Sequence, residues 1–293
     1  MADLAQGQWE LDGLVFGEFQ PVEVAAFDLG GPDIAAGDLD VPGGDGRIFG
    51  YDYARGRTLA FEFFTNAADG AGARAAWAAL ASRWHDPAVR LSPRAVVPLR
   101  IRDYGMDTIV VYGRPRNLDA VSTGLLDRGR VDLTGTFEAV DDLFYADTEQ
   151  SVTLDLLPQI GAGLILPFTL PAVLTPVGGS DTTTLVNEGD AGAWPVIEFS
   201  GPVTNPGVEW VGTGTRVELV TTLAYDQTAT VDTRPWARTV LRSDGASLAG
   251  AVRGPRLADL ALPPGATEVR FTGQDMTGAA RATIRTRSAR STP

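Results

Sequence analysis

Cysteine is absent from the 293-residue sequence. A disulfide framework, a zinc-thiolate site and a cysteine nucleophile are therefore excluded. Lysine is absent too, so all 24 basic residues are arginine. A Walker A loop, a kinase ATP site, a Schiff base and a Ser-Lys hydrolase each need a lysine, and none is available. Histidine occurs once, at His85, which excludes HExxH and multi-histidine metal sites. The opening MADLAQGQWELDG has no basic n-region and no apolar h-region, so no signal peptide is expected.

Positive charge is scarce in another sense. The net charge is −13, and it is unevenly placed. Residues 1–150 hold 24 acidic and 13 basic residues, a net of −11; residues 151–293 hold 13 and 11, a net of −2. Gripping nucleic acid needs cationic charge to displace phosphate counterions, so the balance argues against it. An acidic surface does the opposite and keeps DNA from sticking.

What is present reads as β structure. With 44% hydrophobic and 21% charged residues, the chain is globular in type and long enough for one large or two medium domains. The 34 Gly and 19 Pro imply frequent turns. Residues 8–24 alternate apolar and polar around Asp12-Gly13 and Gly17, as short strands joined by tight turns do. Residues 28–46 are rich in Gly and Asp without periodicity and read as a long loop. The β pattern returns over 47–65, with a turn expected near Ala54-Arg55-Gly56.

The period then changes. Ala73, Trp77, Leu80, Ala81 and Trp84 lie three or four apart, which predicts an amphipathic helix over about 70–85. Asp69 is placed to cap it and Pro87 to stop it. Residues 95–145 read as strands rich in Val, Ile, Tyr and Phe. The longest apolar stretch, 154–176, contains Pro158, Pro167, Pro171, Pro176, Gly161 and Gly163. These break a backbone ladder in lipid, and short extended segments are expected there in place of a membrane span. From 184 onward strands are expected near 194–200, 206–211, 215–223, 228–233, 237–242, 267–272 and 279–286, with an Asp244-Gly245 hairpin turn. Such spacing suits a sandwich or jelly roll. The expected organisation is an N-terminal β domain over 1–150, an apolar connection over 151–183 and a β-sandwich over 184–293.

No catalytic constellation emerges. Gly245-Ala246-Ser247-Leu248-Ala249 lacks the final Gly of a nucleophile elbow. His85 ends a helix, where interaction with the dipole is the common role. Gly212-Thr213-Gly214-Thr215-Arg216-Val217 lacks the third Gly and the helix of a dinucleotide fingerprint. Asp28, Asp33, Asp38, Asp40 and Asp45 share one loop, and oxygen ligands of this kind suit Ca²⁺. Their spacing fits no EF-hand, and a solvated acidic loop is the simpler reading. Trp194, Trp210 and Trp236 are candidates for stacking on sugars, with core packing as the alternative for each. Paired carboxylates for glycoside hydrolysis stay open among 37 acidic residues. No cofactor is expected, and the chain is read as non-enzymatic.

The order of several turn motifs adds a resemblance. V-N-E-G-D at 186–190, W-P-V-I-E-F at 194–199 and G-P-V-T-N-P-G-V-E at 201–209 resemble a pattern of distal tail proteins of long-tailed, non-contractile bacteriophages. GYDYARGRTLAFEF, the Ala-rich helix, YGRPRNLD and GTFEAVDDLFY follow that family's order, although its usual Pro is missing from Asp141-Asp142-Leu143-Phe144-Tyr145. GLILPFTLP resembles the linker of relatives from phages of actinobacteria, and PPGATEVRFTG the late Pro-Gly turn and strand.

The resemblance implies a mainly β protein of two modules: an N-terminal β-sandwich ring domain with one helix, and a C-terminal galectin-like β-sandwich. It also implies a virion structural role at the tail tip. There a ring, commonly a hexamer, joins the major tail tube protein to the tail-tip hub protein. The tape-measure protein or DNA passes through the centre, the DNA in transit and not bound. The acidity of 1–150, with Asp28, Asp33, Asp38, Asp40 and Asp45 among its carriers, is then expected to line that lumen in part. Two alternatives remain: a lectin-like module for host surface glycan, and a cell-wall glycosidase.

Overall fold

The computed structural model describes residues 3–156 and 181–293. The chain is mainly β and divides into two compact units. The first takes Met1–Asp147 together with Arg290–Pro293; the second takes Thr148–Ala289. Most of the apolar 154–176 stretch lies outside the described residues. Among the described residues, no helix is long and apolar enough to cross a membrane.

In the first unit, seven antiparallel strands run in the order Leu14–Gly17, Gln8–Leu11, Val97–Arg102, Ile109–Ser122, Asp132–Ala139, Asp52–Thr65 and Val22–Asp28. The first two form the predicted hairpin. Asp12 and Gly13 both have positive φ, at 48° and 80°, as a two-residue turn matched to strand twist requires. Within Asp52–Thr65, Leu59, Phe61 and Phe63 are buried while Thr58, Ala60 and Glu62 are exposed. One face of the sheet is therefore core and the other wet.

The helix Gly70–Trp84 covers the core face. The Asp69 side chain accepts from Gly72 N at 2.8 Å, as expected of an N-cap. Its buried residues are Ala73, Ala76, Leu80 and Trp84, while Trp77 and Ala81 are only partly buried. Trp84 meets Phe61 and Phe63 edge-on, at 5.9 and 5.5 Å between centroids. Its indole N–H donates to Asn117 O at 2.8 Å. The helix does end before Pro87, but that residue opens a second, one-turn helix, Pro87–Arg90, capped by Asp86. Proline suits the first helical turn because that N–H would be unpaired anyway.

Two expectations for this unit need correction. No turn occurs at Ala54-Arg55-Gly56; the strand runs unbroken through them. A Cβ on Gly56 would lie 1.9 Å from Ala139 O, so this glycine serves close backbone approach and not a turn. Nor is 28–46 a plain loop. It carries the strands Pro32–Ala36 and Leu39–Asp40. The first pairs with the outer part of Asp52–Thr65, and the second with Arg47–Ile48.

The second unit is a sandwich. One sheet orders Gln150–Asp155, Arg281–Thr286, Val196–Ser200, Thr228–Asp232 and Thr239–Arg242. The other orders Thr182–Asn187, Gly265–Gln274, Val203–Trp210, Thr215–Leu219 and Val252–Arg253, with Thr222–Leu223 also on Val203–Trp210. Phe199 of one sheet stacks on Phe271 of the other at 5.9 Å, and the buried Ile197, Val208, Val231 and Ile284 pack the same interior. The Asp244-Gly245 turn forms: Gly245 has φ 83° and Arg242 N donates to Ala246 O at 2.9 Å.

The resembling motifs now have physical content. Asn187 is buried, and its amide Nδ2 donates to Ala191 O at 2.7 Å and Leu262 O at 3.2 Å. Its Oδ1 accepts from Gly189 N and Ala289 N, each at 3.2 Å. A Cβ on Gly189 would lie 1.7 Å from Ala289 O. Gly201-Pro202 is cis, Asn205 has φ 51°, and the ladder between Val203–Trp210 and Gly265–Gln274 shifts register between Thr204 and Gly207. Gly and Pro here re-aim a strand within the sandwich.

Candidate functional site

An arm built from residues 32–56 extends the long strand beyond the sheet. Its residues are exposed on both faces of Pro32–Ala36 and of the first part of Asp52–Thr65. Ile34, Leu39, Ile48, Phe49, Tyr51 and Tyr53 are all at least half exposed, with Phe49 and Tyr51 at 82%. Six large apolar side chains thus stand in water along one arm, a concentration that marks an interaction surface.

The five candidate aspartates are spread along this arm and its root. Asp28 Oδ1 accepts from Gly30 N at 2.9 Å, and Asp33 pairs with Arg55 at 3.4 Å. Asp38 accepts from Gly50 N at 3.1 Å, and Asp38 and Asp40 flank Arg47 at 3.7 and 3.3 Å. Asp45 stands at the tip, exposed. Their carboxylates fix turns and arginines one by one. Among the described residues, no three His, Asp or Glu side chains converge as a metal site would need.

Arg57 pins the root of the arm. It is buried, and its Nη1 donates to Gly30 O at 3.3 Å while Nη2 donates to Asp142 O at 2.5 Å. Its guanidinium lies 4.2 Å over the Phe144 ring. Burial lowers its pKa against the pull of Asp142 and Asp141. Beside it, the Tyr145 hydroxyl donates to Asp141 Oδ2 at 2.6 Å, and Leu143 N donates to Oδ1 at 3.3 Å. Burial pushes the Asp141 carboxyl up to about 6, with both hydrogen bonds opposing. Burial, and then Asp141, likewise raises the Tyr145 phenol. The Asp-Asp-Leu-Phe-Tyr segment is thus the clamp from which the arm departs. Periodicity alone marked it only as a strand end.

A second polar knot lies on the same sheet. Arg100 is 4% exposed. It donates from Nε and Nη2 to both oxygens of Asp147, at 2.7 and 2.6 Å, and from Nη1 to Glu10. Hydrogen bonding to Asp147 foremost raises the guanidinium pKa, with burial opposing. Composition gave no signal for this triad, since Glu10, Arg100 and Asp147 are far apart in sequence.

The three tryptophans of the second unit do not converge on one open face. Trp210 is buried in the sandwich, and Trp236 is buried with Arg234 5.6 Å from its ring. Trp194 is partly exposed, with the Arg238 guanidinium 6.0 Å from its centroid. His85 sits as the helix C-cap, its backbone N–H donating to Ala81 O.

Most of the chain has counterparts among solved structures. The SPP1 Dit (gp 19.1) protein, described as a paradigm of hub adsorption apparatus in Gram-positive infecting phages, matches with a TM-score of 0.58. The match is 16% identical and covers 95% of this chain and 97% of that one. This chain has a distal tail protein fold. The phage P2 baseplate in its activated conformation contains chains of the same fold. With Ca the TM-score is 0.55 at 14% identity, and with Sr it is 0.54 at 13%; each match covers 95% of this chain and 97% of that chain. No family model and no curated protein matches the sequence.

Proposed function

We propose that this protein is a structural component of a phage tail tip. Copies of the first unit assemble into a ring, six-fold in the commonest form. The ring joins the major tail tube protein to the tail-tip hub protein. The tape-measure protein and then DNA cross the open centre. The reading is non-enzymatic and places the protein in the virion tail.

One observation carries it. The likeness extends over 95% of this chain and 97% of the Dit chain, so it takes in more than either unit alone. The exposed apolar arm supports assembly independently, since a monomer gains nothing from Phe49 and Tyr51 in water. A ring of identical copies needs heterologous contacts, in which one patch meets a different one. The acidity of residues 1–150, 24 acidic against 13 basic, suits a lumen that repels exiting DNA.

Native mass and negative-stain imaging of the full chain across a concentration series test the reading. Closed rings with an open centre are expected. A chain that stays monomeric throughout and binds glycans, with binding lost in Trp194→Ala, would replace the ring by the lectin-like reading. Trp194 is the appropriate target because it alone of the three tryptophans is partly exposed.

A further inference from the structure

The second unit reverses the charge of the chain over one stretch. Residues 234–256 hold five arginines against Asp244 alone, in a chain of net charge −13. Arg234 pairs with Asp232 at 2.5 Å, Arg242 with Asp244 at 2.6 Å and Arg256 with Asp259 at 3.0 Å. Among the described residues, the Arg238 side chain makes no hydrogen bond or ion pair; its guanidinium stands 6.0 Å from the Trp194 centroid. Its backbone has φ 44°, a left-handed conformation that is costly for a residue with a Cβ and recurs at functional sites.

Arg238 lines a cleft. Thr239–Arg242 is the last strand of one sheet and Val252–Arg253 the last of the other. Between them a cavity of about 370 Å³ has Leu241, Val252 and Leu257 in its apolar lining and Arg238, Arg256 and Ser247 in its polar lining. Small-molecule sites occupy about 300–1,000 Å³ and combine apolar walls with a few convergent polar groups. The walls are fixed by backbone bonds. Leu248 N donates to Val240 O at 2.9 Å, and Val220 N to Ala251 O at 2.8 Å. A Cβ on Gly254 would lie 2.2 Å from Arg216 O, so the turn leading to Arg256 is held close against Thr215–Leu219.

Charge in the cleft is unbalanced. Hydrogen bonds from Arg256, at 3.0 and 3.1 Å, hold the Asp259 carboxyl below its ordinary range, and the Arg238 charge adds to this from a distance. Two cations thus share one carboxylate. Ser247 Oγ accepts from Ala249 N at 3.4 Å and keeps its own hydrogen to donate.

We propose that this cleft is a binding site for a small organic anion. A carboxylate or phosphate monoester lies between Arg238 and Arg256, on a body that lays an apolar face against Leu241, Val252 and Leu257. Ser247 donates to an oxygen of the same ligand. The planar fork of a guanidinium matches two oxygens of such a group. The site lies within the second unit and does not depend on the ring reading.

Isothermal titration calorimetry of the full-length chain tests it. The probes are phenyl phosphate and glucuronate, with phenol and glucose as their uncharged counterparts. Both anions should bind saturably, and neither uncharged probe should. The ratio of the two anions reads whether the apolar wall or the hydroxyl selects the body. Arg238→Gln should weaken binding about fivefold or more, the upper reach of an exposed ion pair. Leu241→Glu, at a position 41% exposed, puts a like charge in the cleft and should abolish binding with Arg238 intact. Arg253→Gln is the control, an exposed arginine of the same stretch that is outside the lining. It should leave binding unchanged. Far-UV circular dichroism matching the unsubstituted chain shows that each variant folds.

Dissociation constants above about 10 mM for both anions overturn the proposal. So does equal binding of the uncharged probes, or binding that survives both Arg238→Gln and Leu241→Glu. An Arg253→Gln loss as large as that of Arg238→Gln would mean diffuse attraction to a basic surface, and overturns it too.

Discussion

The Tyr145 hydroxyl donates to the Asp141 carboxylate at 2.6 Å where both side chains are withdrawn from water. Burial outweighs that bond and the one from Leu143 N, so the folded carboxyl titrates near 6 and not near its ordinary 3.8. A raised carboxyl binds its proton more tightly folded than unfolded. Its contribution to stability is fully present below about 3.8 and is lost as pH rises through about 6.

Asp141→Asn should remove that dependence. At pH 4 the variant and the parent should unfold at similar denaturant concentrations. By pH 7 the variant should lead by roughly 1–3 kcal/mol, the upper end being the cost of ionising a carboxyl so displaced. Urea unfolding of the first unit at the two pH values decides it. A gap that does not change with pH would mean that Asp141 ionises as it would in water.

Arg100 should behave as the hub of its triad. Replacing it by Met removes the cation that bridges Glu10 and Asp147, and breaking a buried pair this way costs about 3–5 kcal/mol. Adding Glu10→Gln and Asp147→Asn to Arg100→Met should recover much of the loss, because the stranded charges go with them. Arg100→Lys should not be neutral, since a point charge cannot reproduce the two parallel bonds to Asp147. Thermal unfolding of the four chains measures this. Equal losses in the single and triple variants would refute the argument from stranded charge.

These polar knots differ in how far the sequence foretells them. The helix was legible because its period and its Asp69 cap are local, and both appear as expected. The hairpin at Asp12-Gly13 and the turn at Asp244-Gly245 were legible for the same reason. The arm was not. Periodicity in a strand records which face is buried, and Pro32–Ala36 buries neither, so only its Gly and Asp content showed. Arg57 was hidden by Gly56, which reads as a turn residue until Ala139 O is found against it. The turn at Asn187 could be read, but not its bonds, because Leu262 and Ala289 lie 75 and 102 residues along the chain.

Asn187 sets the next expectation. Its amide gives a partner to the Ala191 carbonyl and to the N–H groups of Gly189 and Ala289, and a second donor to Leu262 O, which also accepts from Ala193 N. Asn187→Ala should cost about 2–4 kcal/mol, the desolvation of several stranded backbone groups. Asn187→Asp should be no better, because a carboxylate cannot donate to Ala191 O and Leu262 O. Gly189→Ala should also be severe, since no side chain fits 1.7 Å from Ala289 O. Proteolysis and unfolding of the second unit report all three. A neutral Asn187→Ala would show that water replaces the amide there.

Trp9 and Trp84 offer a controlled comparison within one core. Both indoles are buried. Trp9 stacks on Phe16 at 6.3 Å and meets Phe27 edge-on at 5.5 Å, while Trp84 meets Phe61 and Phe63 edge-on. They differ in the N–H. That of Trp84 donates to Asn117 O at 2.8 Å, and that of Trp9 has no hydrogen-bond partner among the described residues. Changing either to Phe removes a similar volume and leaves a similar cavity. Only Trp84→Phe also strands a carbonyl, whereas Trp9→Phe deletes an unsatisfied donor. Trp84→Phe should therefore be the costlier by about 1 kcal/mol. The two variants share an unfolding transition, so the difference reads directly from denaturant midpoints at equal slope. Equal costs, or Trp9→Phe the larger, would mean that packing around Trp9 outweighs the hydrogen bond to Asn117.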